Sequence, residues 1–154
     1  MSATPKTLYD TDFAAWSERT AALIRAGQFH EIDAENVAEE IESLGKSERH
    51  QLRSRIVRIL EHLLKLKLTS GPLRENNERG WRGSIRRQQG EIEQLVCDSP
   101  SLKDRLTREV LESCYRSAAG TVATEYAVKP PVRCPFTWSE VLPAKANRAK
   151  AKKA

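Results

Sequence analysis

Apolar side chains recur at steps of three and four along most of the chain, and glycines and prolines fall between the periodic stretches. That spacing belongs to amphipathic helices joined by turns, so the chain reads as all-α. Asp10, Thr11 and Asp12 supply capping oxygens ahead of Phe13, Trp16, Leu23 and Ile24. They predict a first helix over about 12–26, closed by Gly27. Asp33 caps a second helix, with Ile32 and Val37 spaced as a hydrophobic staple. Val37, Ile41 and Leu44 make the face of this helix expected to enter the core. Gly45 is either its C-cap or a weak point in a longer helix, and Ser47 can cap a restart.

From Leu52 the stripe widens to Ile56, Ile59, Leu60, Leu63, Leu64 and Leu66, which marks a third helix as the most buried. The stretch TSGPLRENNERG, residues 69–80, gathers glycine, proline and asparagine and predicts an exposed connection. A fourth helix is expected to begin near Trp81 and to align Trp81, Ile85, Ile92, Leu95 and Val96, weakened by Gly83 and Gly90. Ser99 as N-cap and Pro100 as first helical residue start a fifth, running through Leu102, Leu106, Val110, Leu111, Cys114, Ala118 and Val122. The segment KPPVRCPFTWSEVLP is too apolar to float and is expected to drape over the helices as an ordered strap.

The chain of 154 residues suits one domain with one core. The expected organisation is a flexible N-terminus over 1–8, a bundle of about five helices over 9–142, and a disordered basic tail over 143–154. With 31% charged residues and no apolar run of roughly 20 residues, no membrane span is expected. The opening MSATPKTLYDTDF lacks the apolar centre of a secretory signal, so a cytoplasmic location is expected. Cys97, Cys114 and Cys134 are too far apart for a CxxC pair and read as reduced thiols.

Charge divides the chain more sharply than composition does. Net charge is −5 over residues 1–50, +7 over 51–90, −2 over 91–140 and +5 over 141–154. Glu35, Glu39 and Glu42 fall within about 60° on the second helix, opposite Val37, Ile41 and Leu44. They read as a solvated stripe, or one paired to arginines, rather than a metal site. Di-metal bundles pair a glutamate with a histidine three residues on, and this sequence contains no such pair. No cofactor, metal or catalytic residue is assigned. An enzyme reading centres on His62 meeting Glu39 or Glu42 where the second and third helices touch. Arg79, Arg82, Arg86 and Arg87 lie near the expected start of the fourth helix, where they oppose its dipole and call for anionic partners. The acidic stripe would serve. So would nucleic acid, with Arg82, Arg86, Arg87, Lys150, Lys152 and Lys153 as the candidate contacts.

The ordered blocks YDTDFAAW, AGQF, IDAENVAEEIESLGKSER, HLLK, GWRGSIRRQ, SPSL and CPFTWSEVL resemble the bacterial family known as domain of unknown function 29, over roughly residues 8–142. The resemblance implies a small all-helical domain and carries no functional residue with it. The expectation is a non-enzymatic interaction module with a protein partner. Auxiliary nucleic-acid binding is the alternative, and the His62-centred enzyme the second alternative.

Overall fold

The computed structural model describes residues 7–143, which form helices and turns with no strand among them. The helices are α1 (Leu8–Thr11), α2 (Phe13–Arg25), α3 (Ala34–Leu68), α4 (Gly71–Asp98), α5 (Arg108–Tyr126) and α6 (Trp138–Val141). Short 3-10 segments occupy Phe29–Glu31 and Pro100–Arg105. The chain divides into two compact units, residues 1–47 and 48–154, with the boundary inside α3.

In the first unit Thr7 and Asp10 cap each other across α1, so Thr7 and Leu8 are structured where a flexible end was expected. Asp12 accepts from the Ala15 amide at 3.0 Å and starts α2. Tyr9, Phe13 and Trp16 form an aromatic cluster, with the Tyr9 and Trp16 ring centroids 4.8 Å apart at 72°. Gly27, at φ +71, ends the turn after α2 in a conformation that side chains resist. Asp33 accepts from the Asn36 amide at the start of α3, as its capping role requires.

The second unit is an up-down-up bundle of α4, α5 and the part of α3 beyond Glu48. Arg55 Nη1 donates to Gln88 Oε1 at 3.2 Å and Ser99 Oγ donates to Glu48 Oε2 at 2.8 Å, so α4 runs antiparallel to α3. Arg53 Nη2 meets Ser113 Oγ at 2.7 Å and Lys65 Nζ meets Glu125 Oε2 at 3.1 Å. The partners ascend together, so α5 runs parallel to α3. Leu52, Ile56, Ile59, Leu60 and Leu64 are buried as the stripe predicts, against Trp81, Ile92, Leu111, Tyr115 and Val122.

Four expectations need correction. The second and third helices are one, because Gly45 sits within α3 at an ordinary helical φ, costing about 1 kcal/mol relative to alanine. Residues 71–80 are helical rather than a connection. Ser70 and Gly71 (φ +59) turn the chain, and Pro72 stands in the first turn of α4, where proline starts a helix. The polarity of this stretch reflects a helix largely in water. The fifth helix starts late: Pro100–Arg105 forms a 3-10 segment, and Thr107 caps α5 through the Val110 amide. Finally, Ile41 and Leu44 are 64% and 69% exposed and do not enter the core.

The strap is ordered as expected. Cys134, Phe136 and Val141 are buried, Tyr115 donates to the Pro131 carbonyl at 2.6 Å, and Gln89 donates to the Val141 carbonyl at 2.9 Å. Arg108 donates to the carbonyls of Cys134 and Phe136, while Glu112 accepts from the Cys134 amide at 3.1 Å. This last bond, with Arg108 and Arg133 nearby, holds the Glu112 carboxyl below the usual carboxylate range.

Candidate functional site

Three places bring chemistry-bearing side chains together. The first is an ionic cluster on α3 in the second unit. Glu61 and Lys65 are both buried; Glu61 pairs with Arg58 at 3.2 Å, and Lys65 pairs with Glu125 while its ammonium lies 5.0 Å from the Tyr126 ring centroid. Tyr126 in turn meets Trp81 edge to face. His62 sits beside these groups half-buried, with its Nδ1 shielded from water and without a hydrogen-bond partner. Burial first, then the charges of Lys65 and Arg58, push its pKa down to about 4. The imidazole is therefore neutral at pH 7 and fills space beside Lys65.

Glu39, Glu42 and His62 lie on one continuous helix and not on two facing ones. The meeting of helices that the enzyme reading needs has no second helix to supply it. Among the described residues, no group of three His, Cys, Asp or Glu side chains is placed to hold a metal ion.

The second place is the basic side of α4. Arg79, Arg82, Arg86 and Arg87 are exposed and lie in the middle of this helix, because α4 begins ten residues before Trp81. Their position removes the conflict with the dipole. Arg82 donates two hydrogen bonds to Glu78 Oε1, at 2.6 and 2.8 Å, and Arg74 reaches the same carboxylate at 3.6 Å. Arg79, Arg86 and Arg87 have no carboxylate partner among the described residues. Lys150, Lys152 and Lys153 lie outside the described residues. Trp81 is buried in the core and offers no face for a base to stack on. Beside α3, His50, Gln51, Ser54, Arg55, Arg58 and Gln88 line an open groove of about 300 Å³. Arg55 is neutralised there by Glu91 at 3.3 Å.

The third place is the first unit, and periodicity alone misplaced its most exposed residues. Only Thr20 is buried among its described residues, while Leu8, Phe13, Ile24, Phe29, Ile41 and Leu44 all stand exposed. On α3 Ala34, Val37, Ile41 and Leu44 repeat at three- and four-residue steps and share one side. Glu35, Glu39 and Glu42 lie on the opposite side of the helix, and Ala38 and Gly45 flank the apolar side on one edge. Glu40 flanks the other and accepts from the Tyr9 hydroxyl at 2.6 Å, a bond that with burial pushes the Tyr9 pKa up to about 12. Glu42 has a long, exposed contact with Lys46 at 3.9 Å. The described part of this unit carries nine carboxylates and three lysines or arginines.

Fold and surface together define a small all-α protein without a membrane-spanning helix among its described residues. Its family follows from the sequence: the model of Domain of unknown function DUF29 matches residues 8–145, most of the chain, and the protein belongs to that family. No curated protein and no solved structure matches it.

Proposed function

We propose that the protein is a non-enzymatic interaction module that binds another protein through its first unit. One observation carries this reading: six large apolar side chains stand in water within about forty residues that bury almost nothing of their own. This many exposed large apolar side chains within one small unit supports a binding role, whereas single exposed leucines are ordinary. The test is affinity capture from the native host with wild-type bait and an Ile41→Asp/Leu44→Asp bait, each with and without nuclease. Proteins held by the wild type, lost with the variant and indifferent to nuclease support the reading. Capture that depends on nucleic acid, or that the variant leaves unchanged, overturns it.

A second reading, auxiliary nucleic-acid binding, draws on the unneutralised Arg79, Arg86 and Arg87. It calls for binding to DNA or RNA that falls steeply with added salt and weakens in Arg86→Glu/Arg87→Glu.

A further inference from the structure

We infer that the first unit carries a small-molecule site, a pocket between α1, α2 and the segment entering α3 that takes a free α-amino acid with an aliphatic side chain. This inference stands apart from the interaction-module reading and makes no use of the stripe on α3. Trp16, Arg19, Thr20 and Leu23 recur at three- and four-residue steps, so one face of α2 lines the pocket. Glu31 and Ile32 line it from the segment that follows. Its volume is about 150 Å³, near that of a cavity that holds benzene and below the roughly 300 Å³ or more of drug-sized sites. A ligand of about ten non-hydrogen atoms or fewer fits.

Polar groups that the protein itself leaves unused converge on this pocket. Thr20 is only 8% exposed, yet its hydroxyl bonds to no described residue. It is not sealed from water, since the sealed and unpartnered side-chain atoms among the described residues are Arg55 Nε and His62 Nδ1. A ligand in the pocket therefore meets a donor and acceptor that the fold does not use. Arg19 has no ion pair or hydrogen bond among the described residues, and the Trp16 indole N–H has no acceptor. Glu31 has the exposed His30 imidazole at 3.7 Å and no lysine or arginine bridge. Asp33 also lines the pocket, but both its oxygens are engaged by Asn36, at 3.2 and 2.7 Å, in capping α3.

Charge selects the ligand. A carboxylate suits the Arg19 guanidinium, which can donate two parallel bonds to it, and the Thr20 hydroxyl beside it. A plain carboxylate would also face Glu31, and a plain amine would face Arg19, so each carries one repulsion. A zwitterion removes both, with its carboxylate on Arg19 and Thr20 and its ammonium on Glu31. Leu23, Ile32 and the Trp16 ring then cover an aliphatic side chain, the usual mixture of apolar wall and few polar anchors in a ligand pocket.

L-leucine titrated into the isotopically labelled full-length chain tests this by NMR, beside isocaproate, which lacks the ammonium, and isopentylamine, which lacks the carboxylate. The indole N–H resonances of Trp16, Trp81 and Trp138 report the site, and Trp16→Phe identifies the first. The expected result is saturable movement of the Trp16 resonance by L-leucine with Kd of roughly 1 mM, the other two staying in place, and binding about tenfold weaker or less for the two analogues. Thr20→Val keeps the shape and removes a hydroxyl that supports no bond in the fold. It should leave urea stability unchanged and weaken leucine about fivefold. Arg19→Gln, at an exposed position, should weaken it by about tenfold or more. Wild-type affinity in both variants places the ligand elsewhere and overturns the proposal, as does a Trp16 resonance silent toward all three compounds at about 20 mM. Isocaproate binding as tightly as leucine removes the role of Glu31 and with it the amino acid. A peptide ending in leucine that binds more tightly than free leucine makes the occupant a partner's chain end and overturns the small-molecule site.

Discussion

Acid should weaken the wild-type fold more than that of a His62→Leu variant. Burial, aided by Lys65 and Arg58, holds the His62 imidazole at about 4 in the folded chain, against an ordinary 6.5. A histidine whose folded pKa is lowered binds its proton more readily when unfolded, so protonation favours unfolding. The stability tied to the neutral ring is complete above pH 6.5 and is lost as pH falls toward 4. That gap corresponds at most to about 3 kcal/mol. The ring is only half-buried, so solvent screening reduces the expected effect at pH 4.5 to about 1.5 kcal/mol. Urea unfolding of both proteins at pH 7 and pH 4.5 gives the double difference, in which the carboxylates common to both cancel. The leucine variant should gain about 1.5 kcal/mol on the wild type over that interval. A parallel decline of the two proteins would refute the burial of a neutral imidazole beside Lys65.

Lys65 and Glu125 make a related case. Lys65 is 7% exposed and Glu125 49%. Lys65→Met should keep stability within about 1 kcal/mol by urea unfolding, since an apolar chain of similar volume removes both the charge and its desolvation. Glu125→Ala leaves the ammonium with only the Tyr126 ring and should cost about 2 kcal/mol, less than for a fully buried pair because the carboxylate is half in water. Ala127 closes α5 at φ 50, so Ala127→Gly should raise stability by about 1 kcal/mol in the same assay. Of the three thiols, Cys97 is exposed whereas Cys114 and Cys134 are buried and pushed up in pKa by that burial. A thiol reagent on the native protein should modify Cys97 quickly and the other two only on unfolding.

The stripe from Leu52 to Leu64, the buried Trp81 and the ordered strap were legible because each depends on local pattern: helical period, aromatic content, proline spacing. Pro72 misled because the same residue breaks a helix interior and opens a helix start, and only the conformation of Ser70 and Gly71 decides between them. The pairing of Lys65 with Glu125 was out of reach, since it depends on α5 running parallel to α3 in one register. Ile41 and Leu44 show the limit most clearly. Their period correctly placed them on one side of a helix, but period carries no information about whether anything covers that side. The absence of a Glu-x-x-His pair was readable from sequence, whereas the arginine partners Glu78 and Glu91 required helix bounds and packing.

On the proposed function, Ile41 and Leu44 form a surface for a partner and not part of the protein's own core. Urea unfolding of Ile41→Ala/Leu44→Ala beside Ile59→Ala tests it most directly. Ile59 is fully buried, and its truncation should cost about 3 kcal/mol. The double variant, which removes more apolar volume, should stay within about 1 kcal/mol of the wild type. A loss in the double variant equal to that of Ile59→Ala would mean that the protein itself covers the stripe, and would contradict the account.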